Sequence, residues 1–382
     1  MIFEFDIFWI MYNYYNIMSL EAFIDIRFCD PVISLSLNSE GLVYGSMMGR
    51  LLYYNFLTRD ERVINELSDE FISGAWLSND NILYACIGDL RALLIPNPEG
   101  ERFSKQYVNF EKIHTSISCE LSQVKMHEGS IFIGFLEPTG TSDSLAHTIS
   151  PTYIIDLIDG SQNTIEGLKF PPHSVLFDYD GQRLLWMEHE TKNRKLHLYR
   201  VNRASTEILS LNKGFGKFGF CKFLGENIIY VHNQVTIKIL KSNGKDLEVG
   251  SHKNYIIALN CVRIAKSERN RRFNRISGNG NEGRIENVGI EEEQQRERDA
   301  KNFVISADIG GVIRIWDSEK MVEEIFIKNL PQLTERYQKM QYFSLGFPYY
   351  IAAYGPRLAI STDLGVLLIR SRVLELQSQL IR

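Results

Sequence analysis

The densest grouping of possible metal ligands is Glu188-His189-Glu190. On a strand, alternate residues face opposite ways, so the two glutamates share one side while His189 points to the other; the spacing suits a solvated strand end better than a metal centre. A second chemistry lies in the basic run that starts at Lys266, with Arg269, Arg271, Arg272 and Arg275 flanking Phe273. Guanidinium groups beside an aromatic ring suit an acidic partner or RNA, by charge and stacking. The acidic run Glu291-Glu292-Glu293 that follows would pair with those arginines or repel nucleic acid. Ser277 follows the same arginines and is a candidate phosphorylation site, since a phosphate there would sit beside a basic cluster. Gly310-Gly311 is followed by a strand pattern and not by a helix, so it reads as a hairpin turn and not a phosphate loop. Nucleophile elbow, P-loop, dinucleotide fingerprint and HExxH patterns are absent, and no catalytic, cofactor-binding or metal residue is assigned.

Composition bounds what such residues can serve. The 382 residues carry a formal charge of -5, which offers no global attraction to nucleic acid or anionic membrane. Hydrophobic residues make up 44%, enough to bury a large core. Five cysteines, Cys29, Cys86, Cys119, Cys221 and Cys261, stand far apart with no CxxC pair. They read as small buried hydrophobes in a reducing compartment, so a cytoplasmic location is expected, with the nucleus as the other candidate. Residues 1 to 18 are apolar and aromatic but lack a basic leader and are interrupted by Glu4 and Asp6, which argues against a signal peptide or a membrane span. Three readings of this tail stay open: translation from Met18, an appended strand, or a partner-binding tail.

The elements that must carry these residues show a repeat. Phe303 to Asp317 reads as a strand, the Gly310-Gly311 turn and a second strand ending in Trp316-Asp317. Weaker copies follow the same grammar. Val32 to Glu66 reads as four strands, and Phe71 to Ile95 as three of the next four. Strand ends recur at intervals of roughly 40 residues, from Tyr54 to Ile95 and from Tyr199 to Ile239, the period of four-stranded propeller units. Seven such units are counted. The last shows three strands, from Tyr349 to Arg370, and a strand over Ala22 to Phe28 is predicted to complete it and close the ring. Residues 20–382 thus read as one all-β domain, a seven-bladed β-propeller of antiparallel sheets. Polar loops are expected at 137–150, a short surface helix at 331–341, and a charged, disordered insertion at 266–301 within the sixth unit.

The hairpin ending in Trp316-Asp317 resembles a WD40 repeat. Ser251-His252 resembles the Gly-His that opens such a repeat, with Ser251 in place of the glycine. The resemblance implies a hydrogen-bonded set of His252, a Ser or Thr, a turn Asp and Trp316, with His252, Asp308, Trp316 and Asp317 as residues that stabilise the blade. The usual turn Asp falls at Gly310, while Asp308 occupies a position more often Ser or Thr. The set is therefore expected to be incomplete, and altered in geometry at Asp308. In the first unit Tyr54-Asn55 stands at the Trp-Asp position and Ser46 at that of the Ser.

What the resemblance implies is a non-catalytic scaffold for protein partners in a larger assembly, with its contacts in the loops. The alternatives are a propeller enzyme or small-ligand binder with a site at the channel mouth, or RNA or acidic-partner binding through residues 266–275. Converging acidic or histidine side chains at the channel mouth would favour the former. A salt-sensitive interaction lost on deleting 266–301 would favour the latter.

Overall fold

The computed structural model describes residues 18–25, 30–66, 72–87, 91–99, 105–109, 120–127, 130–137, 148–156, 162–165, 175–188, 195–203, 205–209, 220–264, 301–317, 320–327, 350–362 and 365–380. The described strands form seven four-stranded antiparallel sheets, and in six of them four successive strands lie side by side in chain order. The first sheet holds β2 (Val32–Leu37), β3 (Gly41–Ser46), β4 (Arg50–Asn55) and β5 (Glu61–Glu66). The second runs from β6 (Ile72–Leu77) through β7 (Ile82–Ile87) and β8 (Arg91–Pro96) to β9 (Gln106–Asn109). The third comprises β10 (Glu120–His127), β11 (Ser130–Glu137), β12 (Thr148–Asp156) and β13 (Gln162–Ile165).

In the fourth sheet are β14 (Val175–Tyr179), β15 (Arg183–Glu188), β16 (Lys195–Arg200) and β17 (Ser205–Leu209). The fifth follows with β18 (Cys221–Leu224), β19 (Asn227–His232), β20 (Thr236–Leu240) and β21 (Asp246–Ser251). The sixth contains the hairpin: β22 (Ile256–Ile264), β23 (Lys301–Asp308), β24 (Val312–Trp316) and β25 (Met321–Phe326).

The seventh sheet joins the two ends of the described chain. β26 (Ile351–Tyr354), β27 (Arg357–Thr362) and β28 (Gly365–Ser371) are completed by β1 (Met18–Asp25), in the order β1-β28-β27-β26. The register runs from Met18 opposite Ser371 to Asp25 opposite Gly365, with a shift between Leu20 and Ala22. The completing strand therefore begins at Met18 and not at Ala22, because pairing continues to the end of β28. The first strands of successive sheets touch in turn, β2 against β6, β6 against β10, β10 against β14, β14 against β18, β18 against β22, β22 against β26 and β26 against β2.

These strands read as near-continuous apolar runs because both faces of a sheet are covered by its neighbours. Leu367 and Ile369 of β28 pack with Ile305, Ile313 and Ile315 of the sixth sheet. Val366 and Leu368, on the other side of the same strand, pack with Val32, Leu42 and Tyr44 of the first. Likewise Val304 and Trp316 face the fifth sheet, joining Val231 and Ile237. Burying a Val, Leu or Ile contributes roughly 1.5–3 kcal/mol, so each strand holds two interfaces at once. The buried tyrosines keep a polar anchor: the hydroxyls of Tyr44, Tyr53 and Tyr230 donate to Glu61, Glu99 and Asp246 at 2.8, 2.7 and 2.9 Å.

A C-terminal helix, α1 (Arg372–Leu380), follows the last strand and has no counterpart in the sequence reading. Its first turn is capped by Ser371, whose hydroxyl accepts the Leu374 amide at 3.2 Å and donates to Glu323 of β25. Leu374 is fully buried between the sixth and seventh sheets. The predicted helix at 331–341 and the insertion from Lys266 to Ala300 lie outside the described residues, while Lys301 already belongs to β23.

Within each sheet, antiparallel order puts the first-to-second and third-to-fourth strand turns at one end, here the lower end. The second-to-third turns and the connections between sheets lie at the upper end.

Candidate functional site

The connection from β21 to β22 brings His252 into the sixth sheet. Its backbone amide bonds Val235 O at 2.8 Å, and the Ile256 amide bonds Gln234 O at 2.7 Å, so the connection is clamped to the turn between β19 and β20. His252 Nδ1 lies 3.0 Å from Asp308 Oδ2, and Nε2 lies 2.7 Å from Ser306 Oγ. The Trp316 indole donates to the same Ser306 hydroxyl at 2.8 Å. One direction of donation satisfies every group: Trp316 Nε1–H to Ser306, Ser306 O–H to His252 Nε2, and His252 Nδ1–H to Asp308. Asp308 Oδ1 accepts the amides of Gly310 at 2.8 Å and Val312 at 3.1 Å.

Burial by itself would raise the Asp308 carboxyl, but the bonds from His252, Val312 and Gly310 outweigh it and hold that carboxyl below the ordinary aspartate range. The set is thus complete, which corrects the expectation that the turn aspartate is missing. Asp308 is that aspartate and Ser306 the hydroxyl. The offset differs because the turn after β23 takes three residues, with Gly311 at φ +75°, and Asp308 spans it from the strand end. A Cβ at Gly310 would meet the end of the exposed Asn254 side chain, which would have to swing aside.

Asp317 sits at the other end of β24. It accepts the Lys320 amide at 2.8 Å, and Lys301 Nζ lies 3.7 Å from its second oxygen. Trp316 lies on Gly250 of β21, where any Cβ would overlap the indole ring. The network thereby ties the outer strand of the fifth sheet to the sixth.

A Ser, His and Asp in series is also the order of a hydrolase relay. Here Ser306 is 0% exposed, His252 5% and Asp308 2%, and the hydroxyl is already shared between His252 and Trp316. No face of Ser306 is open to a substrate, so its polar atoms serve cohesion. Cys86 and Cys221 are buried thiols in no disulfide, and burial pushes the Cys86 thiol up to about 12, far from thiolate reactivity.

Two clefts open at the lower end instead. One, of about 220 Å³, lies between the seventh and first sheets and is lined by Glu21, Arg59, Arg357 and Arg370 over Tyr54, Phe56 and Leu368. Glu21 takes Arg357 at 2.8 Å and Arg370 at 3.1 Å. The other, of about 280 Å³, lies between the fourth and fifth sheets and is lined by Asp180, Arg183, Arg200, Arg203 and Glu226. Among the described residues, no group of three or more His, Cys, Asp and Glu is arranged to hold a metal, and no helix is long and apolar enough to cross a membrane.

No family model matches the chain, and no curated protein matches it. Solved structures do. A computationally designed protein, Ika8, is 11% identical with a TM-score of 0.51, over 91% of this chain and 100% of its own. The WD40 β-propeller domain of Doa1 is 10% identical with a TM-score of 0.50, over 92% of this chain and 96% of that domain. The fold is propeller-like. At this identity the likeness concerns the fold alone.

Of the residues singled out from the sequence, the structure brings His252, Asp308 and Trp316 together and leaves Asp317 at the strand end. Arg269, Arg271, Arg272, Phe273, Arg275 and Ser277 lie outside the described residues, as do His189 and Glu190. Sequence reasoning missed Ser306, whose signal is the Ser-x-Asp spacing just before Gly310-Gly311. It also missed the arginine clefts, which carry no local signal.

Proposed function

We propose that the chain is a seven-bladed propeller, its last blade completed by β1, and that it acts as a non-catalytic platform for protein partners within a larger intracellular assembly. The ring reading is supported by the cycle of contacts between first strands and by the pairing of β1 with β28. The platform reading rests on one observation: the upper end presents large apolar side chains that have no cover among the described residues. Tyr255 and Ile309, joined by a 2.9 Å backbone bond, are 59% and 49% exposed, and Met47 and Met48 in the β3–β4 turn are 59% and 55% exposed. Apolar groups of this size gathered at turns mark contact surfaces, and their removal from water favours association.

Purification of the tagged protein tests the reading. A stoichiometric protein partner is expected, lost from a Tyr255→Ala, Ile309→Asp variant whose melting temperature matches the parent's. Absence of any stoichiometric partner, or retention by that variant, refutes it.

A further inference from the structure

The two lower clefts repeat one device at corresponding positions of two blades. Arg183 is the first residue of β15 and stands directly opposite Arg200, the last of β16. Arg357 is the first residue of β27 and stands opposite Arg370 near the end of β28. Like charges directly across a strand pair are destabilising, so each pair needs nearby anions. Each leading arginine also stacks on a phenylalanine of the next blade, Arg183 over Phe223 at 4.4 Å and Arg357 over Phe56 at 4.3 Å. This fixes the guanidinium plane at the cleft wall.

The carboxylates present fall short. In the first cleft Glu21 alone faces Arg59, Arg357 and Arg370, although Glu375 outside the cleft also holds Arg370 at 2.6 Å. In the second, Asp180 and Glu226 both go to Arg183. Arg59, Arg200 and Arg203 have no carboxylate partner among the described residues, and Arg59 and Arg203 are exposed. These are local cationic excesses in a chain of net charge -5. Such a chain repels a polyanion as a whole but accepts a short acidic segment at one place.

Resting on the platform reading above, we propose that the lower face docks an acidic segment of a protein partner. Its Glu or Asp side chains seat against Arg59 and Arg357 in the cleft floored by Tyr54 and Phe56, and against Arg200 and Arg203 in the other. Guanidinium groups with unused N–H donors fit such carboxylates in paired hydrogen bonds.

The test uses the purified full chain and a fluorescein-labelled peptide alternating glutamate with leucine, read by fluorescence polarisation. Saturable binding that weakens with salt is expected, and the same peptide with glutamine for glutamate should not bind. Arg59→Glu with Arg203→Glu, both at exposed positions, should weaken binding by about tenfold or more. Lys253→Glu, a single charge reversal at the upper end, should alter it by no more than about twofold. Tighter binding of a phosphoserine version, lost in the same arginine variant, supports the cleft and identifies phosphate as its better ligand.

Lack of saturable binding, equal loss in Lys253→Glu, or displacement of the peptide by a single-stranded oligonucleotide at equal charge concentration overturns the proposal. If the peptide fails while the tagged Arg59→Glu, Arg203→Glu protein still captures the parent's partner, the cleft assignment falls and the platform stands.

Discussion

Replacing Ser306 by alanine removes one oxygen and leaves two polar groups buried without partners, the Trp316 indole N–H and His252 Nε2. Both neighbours are nearly inaccessible to water, at 4% and 5% exposure. An unsatisfied buried donor or acceptor costs about 1–3 kcal/mol, so with two of them Ser306→Ala should destabilise the protein by about 2–6 kcal/mol. Trp316→Phe orphans no nitrogen, though it trims the indole from the interface, and should cost mainly that packing. Once Trp316 is phenylalanine, Ser306→Ala orphans only His252 Nε2, so the double variant should be less destabilised than the sum of the singles by about 1 kcal/mol or more. Urea unfolding followed by far-ultraviolet circular dichroism measures all four proteins. A Ser306→Ala cost below about 0.5 kcal/mol, or strict additivity, would refute the continuous chain of hydrogen bonds from Trp316 to Asp308.

Three further outcomes are expected. Gly250→Ala places a methyl group where the Trp316 ring lies, so it should lower the melting temperature and shift the tryptophan emission, whereas alanine at the open Gly244 turn should leave the emission unchanged. Glu323 is 6% exposed, and burial pushes its carboxyl up to about 7 despite bonds from Ser371 and the Val373 amide. A carboxyl raised in the folded state keeps its full contribution below the unfolded value and loses it as pH rises through the folded one. Glu323 should therefore lower wild-type stability between about pH 4.5 and 7 by an amount on the order of 3 kcal/mol, and Glu323→Gln should lose that fall in denaturation midpoints. A chain starting at Ile26 loses the register with β28 and exposes that edge, so it should melt earlier than the 382-residue chain and self-associate on size exclusion.

How much could be read in advance depended on whether the signal was local. The hairpin from Phe303 to Asp317 was legible because alternation, a glycine turn and a Trp-Asp end fall within fifteen consecutive residues. The strand that completes the seventh sheet was legible in kind and displaced in position, since β-type residues run from Met18 onward and only pairing with β28 sets the limits. The polar network was misread at one step. Counting back from Trp316 assumes a fixed turn length, whereas the three-residue turn moves the aspartate to the end of β23, where its side chain reaches over Ile309 to two amides. The helix from Arg372 has a mixed pattern that stands out only once Leu374 is seen to fill space between two sheets. The first arginine cleft depends on Glu21 meeting Arg357 and Arg370 across 336 and 349 residues, which no local pattern encodes.

The difference between the two kinds of polar site follows from their surroundings. His252, Ser306, Asp308 and Trp316 use one another's donors and acceptors almost completely in a place water does not reach, so what they contribute is cohesion between the fifth and sixth blades. The lower clefts are the reverse case: Arg183 and Arg357 are held by stacking and by carboxylates, while Arg59, Arg200 and Arg203 stand beside them at a surface where a ligand can arrive. A rigid sheet end keeps such donors from relaxing onto one another, so the unmet charge stays available for an acidic group brought by a partner.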